Sequence, residues 1–138
     1  MLSHPILLLN MTVFPEVFLK KSDNKYDEFE LVEDCLVNLP DGEKFVIPKG
    51  YNSDFATVPQ LFWSMFPAHG LAAMPSIVHD WMYDNRLFEK KMGEKRARKY
   101  ADDIFLHHMT TAKKPVPKWQ RLTYFYVVRT FALPWWRN

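Results

Sequence analysis

The chain has 138 residues, a formal net charge of +2, and 48% hydrophobic and 16% aromatic residues, so it is long and apolar enough to bury a core as one domain, residues 1–138. Its single cysteine, Cys35, excludes an intramolecular disulfide and a zinc site built on several cysteines, which fits a reducing compartment. The small net charge gives no warrant for a nucleic-acid surface, and no apolar run of 18 residues marks a spanning helix.

The first fifty residues form the β part of an expected α+β fold. Residues 1–13 lack a basic leader, and residues 6–14 read as a buried strand rather than a signal peptide. A second strand starts at Val17, and residues 22–25 are a turn cluster. Residues 29–39 are a longer run of β-branched and aromatic residues. Pro40-Asp41-Gly42-Glu43 carries the Asp-Gly hairpin signal, and Phe45-Val46-Ile47 is the return strand, closed by Pro48 and Gly50. Together these predict a small antiparallel sheet, with Cys35 packed in it as a small apolar residue.

Residues 51–138 form the helical part. A polar loop over 51–58 leads into a short helix to about Phe66, with Thr57 as N-cap and Pro59 in its first turn. A second helix runs from about Pro75 to Asn85, apolar on several sides. Residues 86–91 read as a connector, and a third helix spans 94–111 with Ala97, Ala101, Ile104 and His108 along one stripe. On it, Asp102 turns toward a neighbouring helix and Asp103, near Lys99, toward solvent. His108 reads as a packed core histidine, and His107 as solvated. A last helix covers 119–133 and stops at Pro134, leaving a tail from Trp135 to Asn138.

The second helix carries the polar groups that an apolar wall does not tolerate without partners: His79, Asp80 and Tyr83. His79 and Tyr83 lie one turn apart on a common face. A histidine oriented by a carboxylate on one ring nitrogen is the recurrent general-base arrangement. Here His79 is the expected base, Asp102 the orienting acid and Tyr83 a second donor to that acid. Asp80 points about 100° from His79 and is left to bind a cation. The same residues also suit a structural network that pins two helices, with Arg98 as an ordinary partner of Asp102 four residues on.

Three motifs in order carry a resemblance. They are Ile47-Pro48-Lys49-Gly50-Tyr51 with Ser53-Asp54-Phe55-Ala56-Thr57-Val58-Pro59, then Val78-His79-Asp80-Trp81-Met82-Tyr83, then Ala101-Asp102 with Phe105. Over roughly residues 45–110 they resemble a phage and prophage protein family of unknown function (domain of unknown function 1353). That resemblance implies a viral origin in a bacterial host, and so a location in the host cytoplasm or the virion.

His79-Asp80 with Tyr83, followed by Asp102 on an antiparallel helix, is also similar to the active-site helices of phospholipase A₂, including its disulfide-free viral type. In that family the His activates water, the adjacent Asp binds Ca²⁺, a distant Asp orients the His and a Tyr supports it. The resemblance therefore implies His79 as base, Asp80 as calcium ligand, Asp102 as orienting acid and Tyr83 as its support. The family's glycine-rich calcium loop has no counterpart beyond Gly70, so Asp54 is the candidate to complete the ligand set. A metal phosphohydrolase using His69, His79-Asp80 and Asp102 is disfavoured by the short spacing.

The C-terminal segment interleaves Trp119, Tyr124, Phe125, Tyr126, Phe131, Trp135 and Trp136 with Arg121, Arg129 and Arg137. It reads as a terminal helix closing the core, whose exposed aromatics bind a lipid or a phage or host protein. Two functions stay open on the sequence. One is an esterase-like hydrolase of lipid or other esters with His79 as base. The other is a non-enzymatic phage accessory or virion protein in which the His79-Asp102-Tyr83 network is structural.

Overall fold

The computed structural model describes residues 19–21, 29–53, 72–112 and 114–137. The expected strand over 6–14, the turn at 22–25 and the helix ending near Phe66 lie outside the described residues, as does Asp54. The architecture is α+β, with short antiparallel strands toward the N-terminal side and helices after them.

Strands β1 (Leu19–Lys21), β2 (Phe29–Leu31) and β5 (Asn52–Ser53) form one antiparallel sheet with β2 in the centre. Its register pairs Leu19 with Leu31 and Phe29 with Ser53. Strands β3 (Cys35–Asn38) and β4 (Lys44–Ile47) form a separate hairpin, with Cys35 opposite Ile47 and Asn38 opposite Lys44. The expected single run over 29–39 is therefore two strands in two sheets. Both pair with the same return segment, and that segment bends at Pro48-Lys49-Gly50. Pro48 has no N–H for the ladder, Gly50 takes a φ of +91°, and the Lys49 N–H donates to Asp34 Oδ1 at 2.7 Å. The Asp-Gly turn forms as its sequence requires: Gly42 adopts φ +92°, and its N–H donates to the Leu39 carbonyl at 3.1 Å. In β3, Cys35 and Val37 are buried while Leu36 and Asn38 face outward, the period-two alternation of a one-sided sheet. Burial pushes the Cys35 thiol up to about 11, so it packs as an apolar group.

Helix α1 (Ala73–Asp84) starts two residues before the expected Pro75. Pro75 still falls in the first turn, where a missing N–H forfeits no intrahelical bond. Residues 86–91, expected as a connector, include the start of a one-turn helix, α2 (Glu89–Met92). Phe88 precedes it at φ +67° and packs its ring edge-on against Tyr100, with centroids 5.6 Å apart. Helix α3 (Glu94–Thr111) follows and packs against both α1 and α4 (Lys118–Phe131). Pro134 does not end the structured chain. It sits in the first turn of a further short helix, α5 (Leu133–Arg137), again where its lack of an N–H is tolerated. This turn carries Trp136 back into the core with no exposed surface, so Trp136 is not the partner-facing tryptophan of a free tail. The continuous core joins Leu31, Val37 and Ile47 of the strands to Ile77, Met82, Phe105, Met109, Val128 and Trp136 of the helices.

Candidate active site

Three helices meet at one carboxylate. Asp102 of α3 is fully buried. His79 and Tyr83 of α1 approach one of its oxygens: His79 Nε2 lies 2.6 Å and the Tyr83 hydroxyl 2.7 Å from Oδ1. Arg129 of α4 donates from Nη1 to Oδ2 at 2.8 Å. Arg98, one turn before Asp102, places Nη1 3.6 Å from Oδ2 and donates from it to the Tyr83 hydroxyl at 3.0 Å. Arg98 is itself fixed by the last turn of α4, donating to the carbonyls of Val128 at 3.3 Å and Arg129 at 2.9 Å.

This geometry sets the protonation of the group. Burial pushes the Asp102 carboxyl up, but the hydrogen bond and charge of His79 and the bonds from Tyr83 and Arg129 outweigh it. The carboxyl is held below its ordinary range. An ionised carboxylate only accepts hydrogen bonds, so His79 carries its proton on Nε2 and donates it to Asp102. The nitrogen not committed to Asp102 is Nδ1. Burial, then the Asp102 charge and hydrogen bond, raise the Tyr83 hydroxyl well above its usual value, against an opposing pull from Arg98. Tyr83 therefore remains a donor. The imidazole is also gripped on its faces, with the rings of Tyr83 and Phe105 at 4.4 and 4.7 Å. Trp136 meets Tyr83 edge-on at 5.1 Å. His79 is 1% exposed.

Each candidate residue within the described chain has a definite place. His79, Asp102 and Tyr83 come together. Asp80 faces away from them and is 4% exposed, with the Ser53 hydroxyl of β5 donating to its Oδ2 at 2.5 Å. It thus ties α1 to the sheet. Next to it, Tyr51 donates to Asp84 at 2.6 Å and lays its ring edge-on to Trp81. Calcium takes six to eight oxygen ligands. Among the described residues no cluster of three or more His, Cys, Asp or Glu side chains is assembled.

Sequence reading missed Arg129 and Ser53 as partners. Arg129 stands 27 residues from Asp102, and only the antiparallel packing of α4 on α3 brings it there. Ser53 stood in a motif, but nothing in its spacing assigned it to Asp80. Asp103 pairs at the surface with Lys99 at 2.8 Å, as its helical position predicts. His108 is fully buried, whereas His107 is half-buried rather than solvated. Burial lowers the pKa of His107, and that of His108 to about 3. Trp119, Tyr126 and Phe131 stand more than half exposed on α4. No helix among the described residues is long and apolar enough to cross a membrane.

Comparison with known proteins places this geometry in a family. One relative, the uncharacterized protein y4jT of Sinorhizobium fredii (strain NBRC 101917 / NGR234), is 28% identical over 109 residues. That alignment takes in 78% of the chain but 30% of the relative, so the chain spans under a third of the relative's length. No solved structure matches. Residues 29–128, which contain β2 to β5 and every member of the Asp102 cluster except Arg129, match the family described as "Protein of unknown function (DUF1353)", and the chain belongs to that family.

Proposed function

We propose that the chain is a hydrolase of lipid or other carboxylic esters, with His79 as general base and Asp102 as its orienting acid. One observation carries this reading: His79 is oriented through Nε2 by a buried, ionised carboxylate that two further side chains hold in place. That arrangement fixes the tautomer and stabilises the imidazolium that forms when Nδ1 takes a proton. Nδ1 accepts a proton from water, the resulting hydroxide adds to the ester carbonyl, and the imidazolium returns the proton to the departing alkoxide. Acid and alcohol are released with His79 neutral again. Tyr83 and Arg129 are positioning residues, acting through Asp102. The likeness of His79-Asp80-Tyr83 and Asp102 to the helices of phospholipase A₂ supports the same assignment, with Asp80 and Asp54 as its calcium ligands. The phage-like motifs suggest action in a bacterial host or virion.

The 1% exposure of His79 favours a second reading, in which the network is a polar clamp on α1, α3 and α4 in a non-enzymatic phage accessory or virion protein. One experiment separates the two. Phospholipid vesicles and short-chain aryl esters are incubated with the purified protein, in Ca²⁺ and in chelator, beside His79→Gln and His79→Ala variants checked by circular dichroism. The hydrolytic reading expects turnover that falls at least roughly 100-fold in a folded His79 variant. Absence of turnover on every ester, with variants that only melt earlier, overturns it in favour of the clamp. Loss of turnover in chelator assigns a calcium requirement.

A further inference from the structure

Beyond Asp102, on the side of Oδ2, lies a cavity of about 250 Å³ whose described lining is Glu94, Lys95, Arg98, Arg129 and Leu133. It is bounded by the first turn of α3, the end of α4 and the start of α5. Its charges are unevenly matched. Arg98 and Arg129 share the one buried Asp102 carboxylate at 3.6 and 2.8 Å. Lys95 has no carboxylate partner among the described residues. Glu94 is the one acid of the described lining, so among the described residues three cations stand over two carboxylates, those of Glu94 and Asp102.

The donors are similarly in excess. A guanidinium offers five N–H groups in a planar fork. Arg129 gives one to Asp102, and its side chain keeps 28% exposure on the cavity wall. Arg98 is held by three bonds, to Tyr83, Val128 and Arg129, so its position is fixed in advance. A planar fork beside a pre-set second arginine and an exposed lysine is the donor set that takes up oxyanions, since two parallel N–H groups match two oxygens of one group. The volume falls just below the usual range of drug-sized ligand pockets, which selects a small group over a whole drug-sized molecule.

We propose that this cavity is a binding site for a phosphoryl group, held by Lys95, Arg98 and Arg129. The site does not depend on the hydrolytic reading: it exists whether or not His79 is a base. It adjoins that machinery, because the arginine that grips Asp102 Oδ2 also lines the cavity, so an occupant steadies Arg129 against Asp102.

The test is titration calorimetry and thermal melting of the whole protein with inorganic phosphate, against chloride at matched ionic strength. The expected result is one site and a rise in melting temperature of about 5 °C at saturating millimolar phosphate. Lys95→Glu should weaken binding at least roughly tenfold. Lys95 is exposed and outside the Asp102 cluster, so the variant should fold. Lys99→Glu, one turn along α3, likewise exposed and outside the cavity lining, should leave binding unchanged. Absence of phosphate binding overturns the proposal, and so does equal weakening by the two variants, which would mark diffuse surface charge. Glycerol phosphate and phosphatidylglycerol vesicles distinguish the source of the group. Lys95-dependent uptake of glycerol phosphate alone assigns a soluble phosphorylated compound, and Lys95-dependent vesicle binding assigns a lipid headgroup.

Discussion

His79 and His108 face the core from α1 and α3 and are equally enclosed, at 1% and 0% exposure. Their surroundings treat them in opposite ways. His79 meets a carboxylate at 2.6 Å, and that carboxylate is braced by a tyrosine and an arginine. His108 sits six residues beyond Asp102 on the same helix, about 9 Å along the axis, where burial and the neighbouring His107 push its pKa down to about 3. Burial together with a second imidazole beside it disfavours the charged form of His108. At His79 a carboxylate on one ring nitrogen instead fixes the orientation of the imidazole. The middle and the C-terminal part of α3 differ in this, and the difference locates the candidate site at the middle of the helix.

The sharpest way to break the contrast is to remove Asp102. Asp102→Ala leaves His79, Tyr83, Arg98 and Arg129 pointing their donors at an empty place, with at least one guanidinium charge partly buried and unpaired. Removing one partner of a buried charged cluster costs about 3–5 kcal/mol. Urea denaturation at pH 7 should show a loss of that size. A loss under about 1 kcal/mol would mean that the cluster is not the clamp its geometry describes.

Acid should sharpen the contrast at the other histidine. His108 has a folded pKa of about 3 and an unfolded one of about 6.5. Between those values the unfolded chain binds the extra proton, so stability falls as pH drops from about 6.5 toward 3. At pH 4.5 the loss from this residue is about 3 kcal/mol. Asp102 works in a lower window. Its folded pKa is lowered, so its contribution is complete above the unfolded value of about 4 and is lost as pH falls below it. Comparing urea midpoints at pH 7 and pH 4.5 should thus show a steep slope in the natural chain and a shallower one in His108→Leu. Identical slopes would remove His108 as its cause.

How much of this was legible in the sequence follows the range of each interaction. The pairing of His79 and Tyr83 is a one-turn relation, and helical period assigns Asp102 inward and Asp103 outward, so that part of the cluster could be read directly. The hairpin at Asp41-Gly42 was legible because the turn chemistry is local. Arg129 was not, since it reaches Asp102 across a helix pair whose packing no short-range pattern encodes. The split of 29–39 into two sheets was hidden for a similar reason: its cause lies at Pro48-Lys49-Gly50, on the opposite strand. Trp136 was misplaced because Pro134 was read as a stop, although proline also suits the first turn of a helix.

The smallest effect tests the same comparison at a single peptide step. Asp103 follows Asp102 directly, has the same side chain, and also has a cation within hydrogen-bond reach, Lys99 at 2.8 Å. The two pairs differ in solvent. The Lys99 and Asp103 side chains are 62% and 43% exposed, whereas Asp102 is sealed. Water screens the surface pair and already solvates each partner alone, so an exposed pair four residues apart on a helix contributes about 0.3–0.5 kcal/mol. Asp103→Ala should therefore shift the urea midpoint barely above error, and the shift should vanish in 1 M salt, where the Debye length is about 3 Å. The loss in Asp102→Ala should survive that salt, because its arginines are held inside the protein. If both variants lost the same stability and both losses vanished in salt, burial would not be what separates the two acids, and the cluster around His79 would be one more surface ion pair.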